Sequence, residues 1–226
     1  IRNVGVLAGG TVMGQLVLFA VLPVLTRLYD PSAFGLLGIY TSVTIILSVV
    51  ACLRLEIATP LPKEDREAVN LVVLGLMSAS VIAVCLALAA LVFPNQITHW
   101  LRQPDFRPYV WMIPMGVWLA AVYSAIQFWS IRKKRYGMVA KTQFMRAIGG
   151  SSTQIGLGYL GNVPFGLLFG HMIYTGLGSF GLARLFWKHD RSLLANVSKN
   201  SLREALSKYR KFPLFSVPEA LLNSAA

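Results

Sequence analysis

The sequence predicts an all-α membrane protein, a bundle of about six transmembrane helices. Of its 226 residues, 55% are hydrophobic and only 13% are charged, whereas about a quarter of the residues in a typical soluble domain are charged. Six apolar stretches are each long enough to cross a hydrocarbon core of roughly 30 Å as a helix, which takes about 20 residues. Backbone polar groups in lipid must be satisfied within the segment, so these stretches are predicted to be helical.

The first two predicted spans are joined by a tight turn. The first covers residues 4–29, carries several glycines and contains Pro23, which are features of helices that pack closely and bend. Asp30 and Pro31 then supply a helix N-cap and a proline at the first helical position. A second span therefore begins at once and covers residues 31–53.

Four further spans follow along the chain. A polar connection rich in proline precedes the third span, and Asn162 and Pro164 predict the cap and the first turn of the sixth. Pro94 ends the third span, and a cluster of four basic residues ends the fourth. The predicted spans cover residues 68–93, 109–131, 137–160 and 164–187.

Residues 188–211 are predicted to form a cytoplasmic amphipathic helix that lies at the membrane surface. They are polar and basic, but apolar residues recur in them at helical spacing, and Ser201 and Glu204 have the spacing of a capping box. From Phe212 the chain becomes apolar again, as at the start of a seventh span. The chain thus divides into a six-helix lobe (1–187) and a linker with the beginning of a seventh helix (188–226). Because it begins with Ile and stops within that span, we expect it to be a fragment.

The distribution of Lys and Arg predicts the orientation in the membrane. With six alternating crossings, Arg27, Arg102 and Arg107 fall on one side, and the other 18 of the 21 basic residues fall on the opposite side. Cytoplasmic connections carry an excess of Lys and Arg, so the amino terminus and the amphipathic segment are predicted to be cytoplasmic. The net charge of +12 then fits anionic membrane lipids as partners without any role for nucleic acid.

Arg146 is the clearest candidate for a functional charge, because it lies about two turns inside the fifth span. Polar and small residues surround it at helical spacing, and charges inside a membrane usually face a bundle interior or a water-filled cavity. One interpretation is a cavity-facing stripe whose Arg binds an anion. The alternative is an Arg that extends to the interface beside residues used for packing. The stripe comprises Thr142, Gln143, Arg146, Gly149, Gly150, Thr153 and Gln154.

Other polar residues of the spans each have a functional and a structural interpretation. Arg27 and Arg54 end the first and second spans, where anchoring to the interface is common. Gln15, near the middle of the first span, would bind a neighbouring helix or line a cavity. His171 could relay protons, but a neutral His bonded within the helix packing is the commoner case. Glu56, two residues from Arg54, is not expected to form a local ion pair, since that spacing places two side chains on different sides of a helix.

The sequence gives no sign of catalysis, of a metal or of a cofactor. It shows no cluster of His, Cys, Asp or Glu with ligand spacing, no phosphate-binding loop and no pair of acids in an extended loop. Cys52 and Cys85 have no paired spacing and are predicted to be small apolar groups. We therefore predict a protein that is not an enzyme and has no cofactor.

Several short strings, in order, resemble the polysaccharide biosynthesis transporters of the O-antigen flippase type. The opening strings precede Gln15 and span the first turn, and the others fall in the second, fourth and sixth connections. They are LAGGT at residues 7–11, LTRLYDP at 25–31 with Phe34-Gly35, LRLEIA at 53–58 with Leu61-Pro62 and AVNL at 68–71, IRKKRY at 131–136, and YRKFPLF at 209–215. The resemblance extends over nearly the whole chain. The superfamily also includes multidrug and toxin extruders and the lipid II flippase.

The resemblance implies a transporter with two six-helix lobes around a central cavity, of which this chain is the first lobe. It implies alternating access and a lipid-linked oligosaccharide as the substrate, carried across the bacterial cytoplasmic membrane. Arg27, Arg54 and Arg146 are then expected to contact the pyrophosphate. Association with polysaccharide polymerase machinery is a further expectation. The residues expected to bind sugar hydroxyls are Gln15, Gln143 and Gln154.

Two other functions stay open at this point. A multidrug exporter of the same superfamily would be expected to carry a buried acid for cation coupling, and the six spans have no Asp or Glu at their middle. A membrane glycosyltransferase or ligase would be expected to carry acids in a large outer loop.

Overall fold

The computed structural model describes residues 2–225, with the side chains of 2–4, 6, 7, 196, 224 and 225 left aside. The ends of the two predicted domains, residues 1 and 226, lie outside this range. Within it, the chain is largely helical and contains no strand. The helices are α1 (Arg2–Leu28), α2 (Pro31–Ala51), α3 (Leu55–Ala58), α4 (Asp65–Val92), α5 (Pro94–Trp100), α6 (Met112–Arg132), α7 (Tyr136–Tyr159), α8 (Phe165–Asp190), α9 (Lys199–Lys208) and α10 (Val217–Ala225).

Six of these helices have more than 20 residues, and five of the six are apolar enough to cross a membrane. These five confirm the predicted spans for α1, α2, α4, α6 and α8. The exception is α7, which forms a 24-residue helix where the fifth span was predicted. It is more polar than the others because it carries Arg146 and the stripe of small and polar residues.

The start of α2 and the end of α7 show how the local sequence determines where a helix begins or ends. Asp30 is the N-cap of α2 and Pro31 its first residue, as predicted. At the end of α7, Gly161 has φ of +75°, and its N–H and that of Asn162 bind the carbonyls of Gly158 and Leu157. This Schellman ending needs a left-handed residue, which glycine supplies without strain.

Helix α6 lies at the centre of the bundle and packs against α2, α4 and α8. Its apolar residues form the main core together with buried side chains of α2, such as Tyr40, and of α8, such as Leu168. Helix α7 packs mainly against α8 on one side and α1 on the other. Helix α1 is therefore at the edge of the bundle and touches it chiefly through α7.

Large apolar side chains cover the outside of the bundle. Phe19 of α1, Leu91 of α4 and Phe180 of α8 are 72%, 76% and 72% exposed. A soluble monomer rarely exposes large contiguous apolar patches, whereas lipid solvates such a surface. The fold is thus compatible with a protein embedded in a membrane.

Glycines allow α7 and α8 to approach each other closely. A Cβ placed on Gly170 would lie 2.3 Å from Cγ and 2.9 Å from the backbone N of Gln154, and one on Gly150 would lie 3.1 Å from the carbonyl O of Gly170. Backbone atoms cannot move aside as a flexible side chain can. Small residues at such crossings are typical of membrane helix pairs.

Ion pairs tie the helices together at the basic end of the bundle. The buried Asp190, at the end of α8, accepts hydrogen bonds from Nε1 of Trp129 at 3.0 Å and from the guanidinium of Arg135 at 2.6 and 3.2 Å. Asp65 pairs with Arg132 and Lys133. The basic cluster that ends the fourth predicted span therefore holds α4, α6, α7 and α8 at one end.

Arg132 also fixes the connection between α3 and α4. Its two terminal nitrogens donate to four backbone carbonyls, the closest being that of Pro62 at 2.6 Å. A connection with two prolines offers few N–H groups of its own, so the guanidinium satisfies carbonyls that would otherwise be unpaired. The other three carbonyls belong to Thr59, Pro60 and Lys63.

The segment predicted to be one amphipathic helix is divided in the structure. Helix α8 continues to Asp190, a 3₁₀ segment covers Arg191–Asn196, and α9 begins only at Lys199. The predicted capping box at Ser201 and Glu204 is wrong, because Ser198 is the N-cap and Ser201 is the third helical residue that binds it reciprocally. The apolar face of α9 packs on α3 and α4 through Ala205.

We expect Gly170→Ala to destabilise the bundle. The added methyl group must push apart two backbones in contact, and overpacking of this kind costs about 1–3 kcal/mol. The expected result is a Tm lower by several degrees in detergent, measured by tryptophan fluorescence.

Gly156→Ala is the matched control, since it lies on the exposed face of α7 and its added methyl group would meet no atom within 4 Å. It should leave Tm unchanged or raise it slightly through helix propensity. Equal Tm values for the two variants would show that the α7–α8 crossing is not tightly packed.

Candidate functional site

The polar stripe of α7 is buried against α8. Thr142, Arg146, Gly150 and Gln154 recur at every fourth position, and all four are buried. The structure therefore confirms that these residues share one helix face. That face is covered by α8 and is not an open wall.

Arg146 is held in place by two tyrosines. The guanidinium carbon lies 3.9 Å from the ring centre of Tyr123 in α6 and 4.6 Å from that of Tyr174 in α8. Its Nε–H donates to the backbone carbonyl of Tyr174 at 2.6 Å. Cation–π contacts of this kind contribute more when the cation is desolvated. One side chain thus joins α6, α7 and α8.

The positive charge of Arg146 has no acidic partner among the described side chains. The residue is only 9% exposed, and the ion pairs of the described residues all involve other cations. Buried charges are normally paired, because desolvation of a lone charge is costly. The tyrosine rings and one carbonyl stabilise the cation only in part, which leaves an electropositive place inside the bundle.

A small cavity of about 250 Å³ lies next to this arginine, between α1, α7 and α8. The hydroxyl of Ser151 is fully buried there and has no hydrogen-bond partner among the described residues. An unpaired buried hydroxyl costs about 1–3 kcal/mol, so Ser151 gives the cavity an unsatisfied hydrogen-bonding group. The cavity is lined by Leu18, Gly150, Ser151, Gln154, His171 and Tyr174.

Tyr174 separates the arginine from the cavity. Its ring lines the cavity on one side and contacts the guanidinium on the other. His171 also lines the cavity and contacts the rings of Tyr40 and Tyr174, with centres 6.0 and 5.7 Å away. A ligand in the cavity would meet the charge of Arg146 directly only if the Tyr174 side chain moved.

The three predicted glutamines have different positions. The amide of Gln154 lines the cavity but donates to the carbonyl of Leu167 at 3.1 Å, and its backbone carbonyl accepts the hydroxyl of Tyr29 at 2.6 Å. Gln143 is half-buried at the contact of α7 with α1, where its carbonyl lies near Gly14. Gln15 is exposed on α1. Gln154 alone among the three is therefore at the cavity.

Arg27 and Arg54 are not brought to this site. Arg27 is exposed at one end of the bundle, and Arg54 follows α2 at the other end. The residues Leu53 and Arg54 have φ of +54° and +57°, so the chain leaves the helix there. The expected absence of an Arg54–Glu56 ion pair holds for the described side chains, although the two charges still attract each other.

The residues that sequence reasoning missed come from neighbouring helices or from the next position in the chain. Tyr123 and Tyr174 carry no polar spacing of their own, and nothing in the sequence indicates that they face Arg146. Ser151 follows Gly150 of the predicted stripe, and a prediction that allowed a wider polar face on α7 would have included it. Among the described residues, no group of three or more His, Cys, Asp or Glu side chains could hold a metal.

Fold and site together define a helical protein with five candidate membrane spans, a buried cation and a small cavity lined by polar and apolar groups. Comparison with known families gives a more particular assignment. The chain belongs to the polysaccharide biosynthesis protein family, whose model matches residues 24–224. No curated protein matches the chain, and no solved structure does.

The Glu56 carboxyl, beside Arg54, should make stability depend on pH. It is 5% exposed with one oxygen unpaired, and burial raises its pKa above the usual 4.5 in the folded protein. A raised pKa in the folded state stabilises the protein below the unfolded pKa, and this stabilisation is lost as pH rises through the folded value. We expect Glu56→Gln to flatten the fall in stability above about pH 4.5 in thermal unfolding curves.

Glu64→Gln, in the same connection, is the control for this comparison. Glu64 is exposed, so its removal should leave the pH profile as in the parent protein. Identical profiles for Glu56→Gln and the parent would show that burial does not perturb this carboxyl.

Proposed function

We propose that this protein is part of a transporter that flips an undecaprenyl pyrophosphate-linked oligosaccharide across the bacterial cytoplasmic membrane. The observation that carries the proposal is the buried guanidinium of Arg146 without an acidic partner among the described side chains, next to a cavity with an unpaired hydroxyl. Membership of the polysaccharide biosynthesis family supports the substrate class. The repeat unit could belong to O-antigen, capsule or exopolysaccharide.

The chemistry of the substrate accounts for a cation in this place. A pyrophosphate cannot cross hydrocarbon without compensation of its charge, and a guanidinium binds phosphate oxygens through two parallel hydrogen bonds. Within the described part of the chain, Nε is the one nitrogen of the Arg146 guanidinium that donates a hydrogen bond. The two terminal nitrogens are the natural donors to a phosphate.

Tyr174 would control the access of the headgroup to this cation. Its ring lies between the cavity and the guanidinium, and a change of its side-chain rotamer would join the two. Ser151 and Gln154 would then offer hydrogen bonds to the phosphate or to the first sugar. Arg54, at the basic end, would meet the headgroup on entry, and Arg27, at the opposite end, would meet it on exit. Gln15 and Gln143 would meet the sugars along α1 and α7.

The proposal includes the arrangement in the membrane. Helix α7 would be a sixth crossing, because α1 and α8 cover its polar face. The basic end would lie in the cytoplasm against anionic lipids. The protein would move its substrate by alternating access, without a chemical step, and would work beside the polysaccharide polymerase. A multidrug exporter is the alternative that the transport experiment must exclude.

Loss of the cation should stop transport. In cells that make the protein with Arg146→Gln, we expect surface polysaccharide to fall about tenfold or more, since a hydrogen bond to a charged group is worth about 1.5–3 kcal/mol. Lipid-linked oligosaccharide should accumulate in the inner leaflet. Ser151→Ala should give a smaller fall, about fivefold for one neutral hydrogen bond.

Ser152→Ala is the matched control, because Ser152 is the next residue of α7 and is exposed. Immunoblots of the membrane fraction must show equal amounts of every variant. Undiminished polysaccharide with Arg146→Gln would overturn the proposal. Resistance to toxic cations that falls while polysaccharide stays constant would favour an exporter.

Cysteine labelling tests the orientation. In a Cys85→Ala background, which removes the exposed thiol and leaves the buried Cys52, we expect Gln96→Cys to react with a membrane-impermeant maleimide in intact spheroplasts. Ser207→Cys should react only after permeabilisation. Both positions are exposed, so the reverse pattern would mean that the basic end faces outwards.

A further inference from the structure

A second cavity, of about 350 Å³, lies at the end of the bundle opposite the basic cluster. Three separate parts of the chain form it: the first turns of α2, the 3₁₀ segment Pro104–Tyr109 and the hairpin between α7 and α8. Its volume is at the small end of the range for ligand pockets. It is separate from the cavity beside Arg146, since the two share no lining residue.

The lining combines hydrogen-bonding groups with apolar and aromatic surface. Ser32, Gln103 and Asp105 contribute a hydroxyl, an amide and a carboxylate, and none of the three side chains forms a hydrogen bond within the described part of the chain. Tyr109 contributes a ring, and Leu36, Val163 and Pro164 contribute apolar surface. Such a set suits a ligand that carries both hydroxyl groups and C–H faces.

Charge distinguishes between the candidate ligands. Among the described residues that line the pocket, Asp105 is the one that carries a charge, so the lining offers no cationic side chain to phosphate or another anion. A single carboxylate is also too few oxygen ligands for a divalent cation, which takes about six or more. A neutral sugar needs neither a cationic partner nor a full set of oxygen ligands, so neither argument counts against it.

We propose that this outer pocket binds a sugar residue of the glycan after it has crossed the membrane. The inference rests on the proposed function for the identity of the glycan, but sugar binding itself is a property of the pocket and can be measured without transport. The pocket would hold the glycan at the outer end while the pyrophosphate is still bound further inside. It would thereby favour release on that side.

Gly35 allows a specific test of sugar binding in this pocket. It lines the pocket, and a Cβ added to it would meet no atom within 4 Å. A leucine at this position would therefore start from open space, and its larger side chain would occupy volume at the pocket. Gly38 lies one turn further along α2, is also exposed with open space around it, and does not line the pocket. Gly38→Leu is thus the matched control.

The experiment is saturation-transfer difference NMR on the chain in lipid nanodiscs. The probes are free glucose, galactose and N-acetylglucosamine. Inorganic phosphate is tested in parallel by ³¹P line broadening, to learn whether an anion binds in place of a sugar. We expect transfer to at least one sugar, a fall to background with Gly35→Leu, retention with Gly38→Leu, and a severalfold loss with Gln103→Ala. Thermal unfolding of each variant would show that it is folded.

Three outcomes would overturn the inference, and the first two are no transfer to any of the sugars and equal transfer with Gly35→Leu and Gly38→Leu. Binding of phosphate in place of sugar would overturn it as well. Surface polysaccharide in cells is measured separately for Gly35→Leu and Gly38→Leu. Failure of transport with intact sugar binding, or the reverse, therefore separates the proposed function from this inference.

Discussion

The bundle depends on the way it accommodates one charge, the guanidinium of Arg146. A cation within apolar helices is unfavourable unless its surroundings compensate it, and here two tyrosine rings and one carbonyl do so. These partners lie on α6 and α8, so Arg146 links α7 to both of these helices. The glycines of α7 and α8 contribute to this arrangement, since only a close crossing of the two helices brings the carbonyl of Tyr174 within reach of Arg146.

The positive charge of Arg146 is compensated only in part, and the proposed function depends on this remaining charge. Rings and a carbonyl stabilise a cation without cancelling its charge, whereas an acidic side chain would cancel it and would compete with an anionic substrate. An arginine held by tyrosines keeps its charge, and under the proposed function a phosphate would reach it once the Tyr174 side chain had moved. The hydroxyl of Ser151 nearby is a second polar group that has no partner among the described residues.

Sequence reasoning succeeded where local rules decide. Hydropathy found the long helices, and Asp30-Pro31 placed the start of α2, because both depend on neighbours in the chain. Helical spacing identified the residues that share a face with Arg146, but it carries no information about which helix covers that face. The tyrosines around the guanidinium are set by tertiary packing. Helical spacing also fails to describe Arg54 and Glu56, because two residues with positive φ break the helix there.

The two ends of the bundle are held by different forces. All four ion pairs among the described side chains lie at the basic end and join α4, α6, α7, α8 and α9. At the opposite end, hydrogen bonds between uncharged groups join the helices together with apolar contacts. The hydroxyl of Tyr29 binds the carbonyl of Gln154, and the side-chain amide of Gln154 binds the carbonyl of Leu167. Apolar contacts between helices gain little over contacts with lipid. Helices anchored at one end by charge can therefore separate more easily at the other, which is the end that carries the outer pocket.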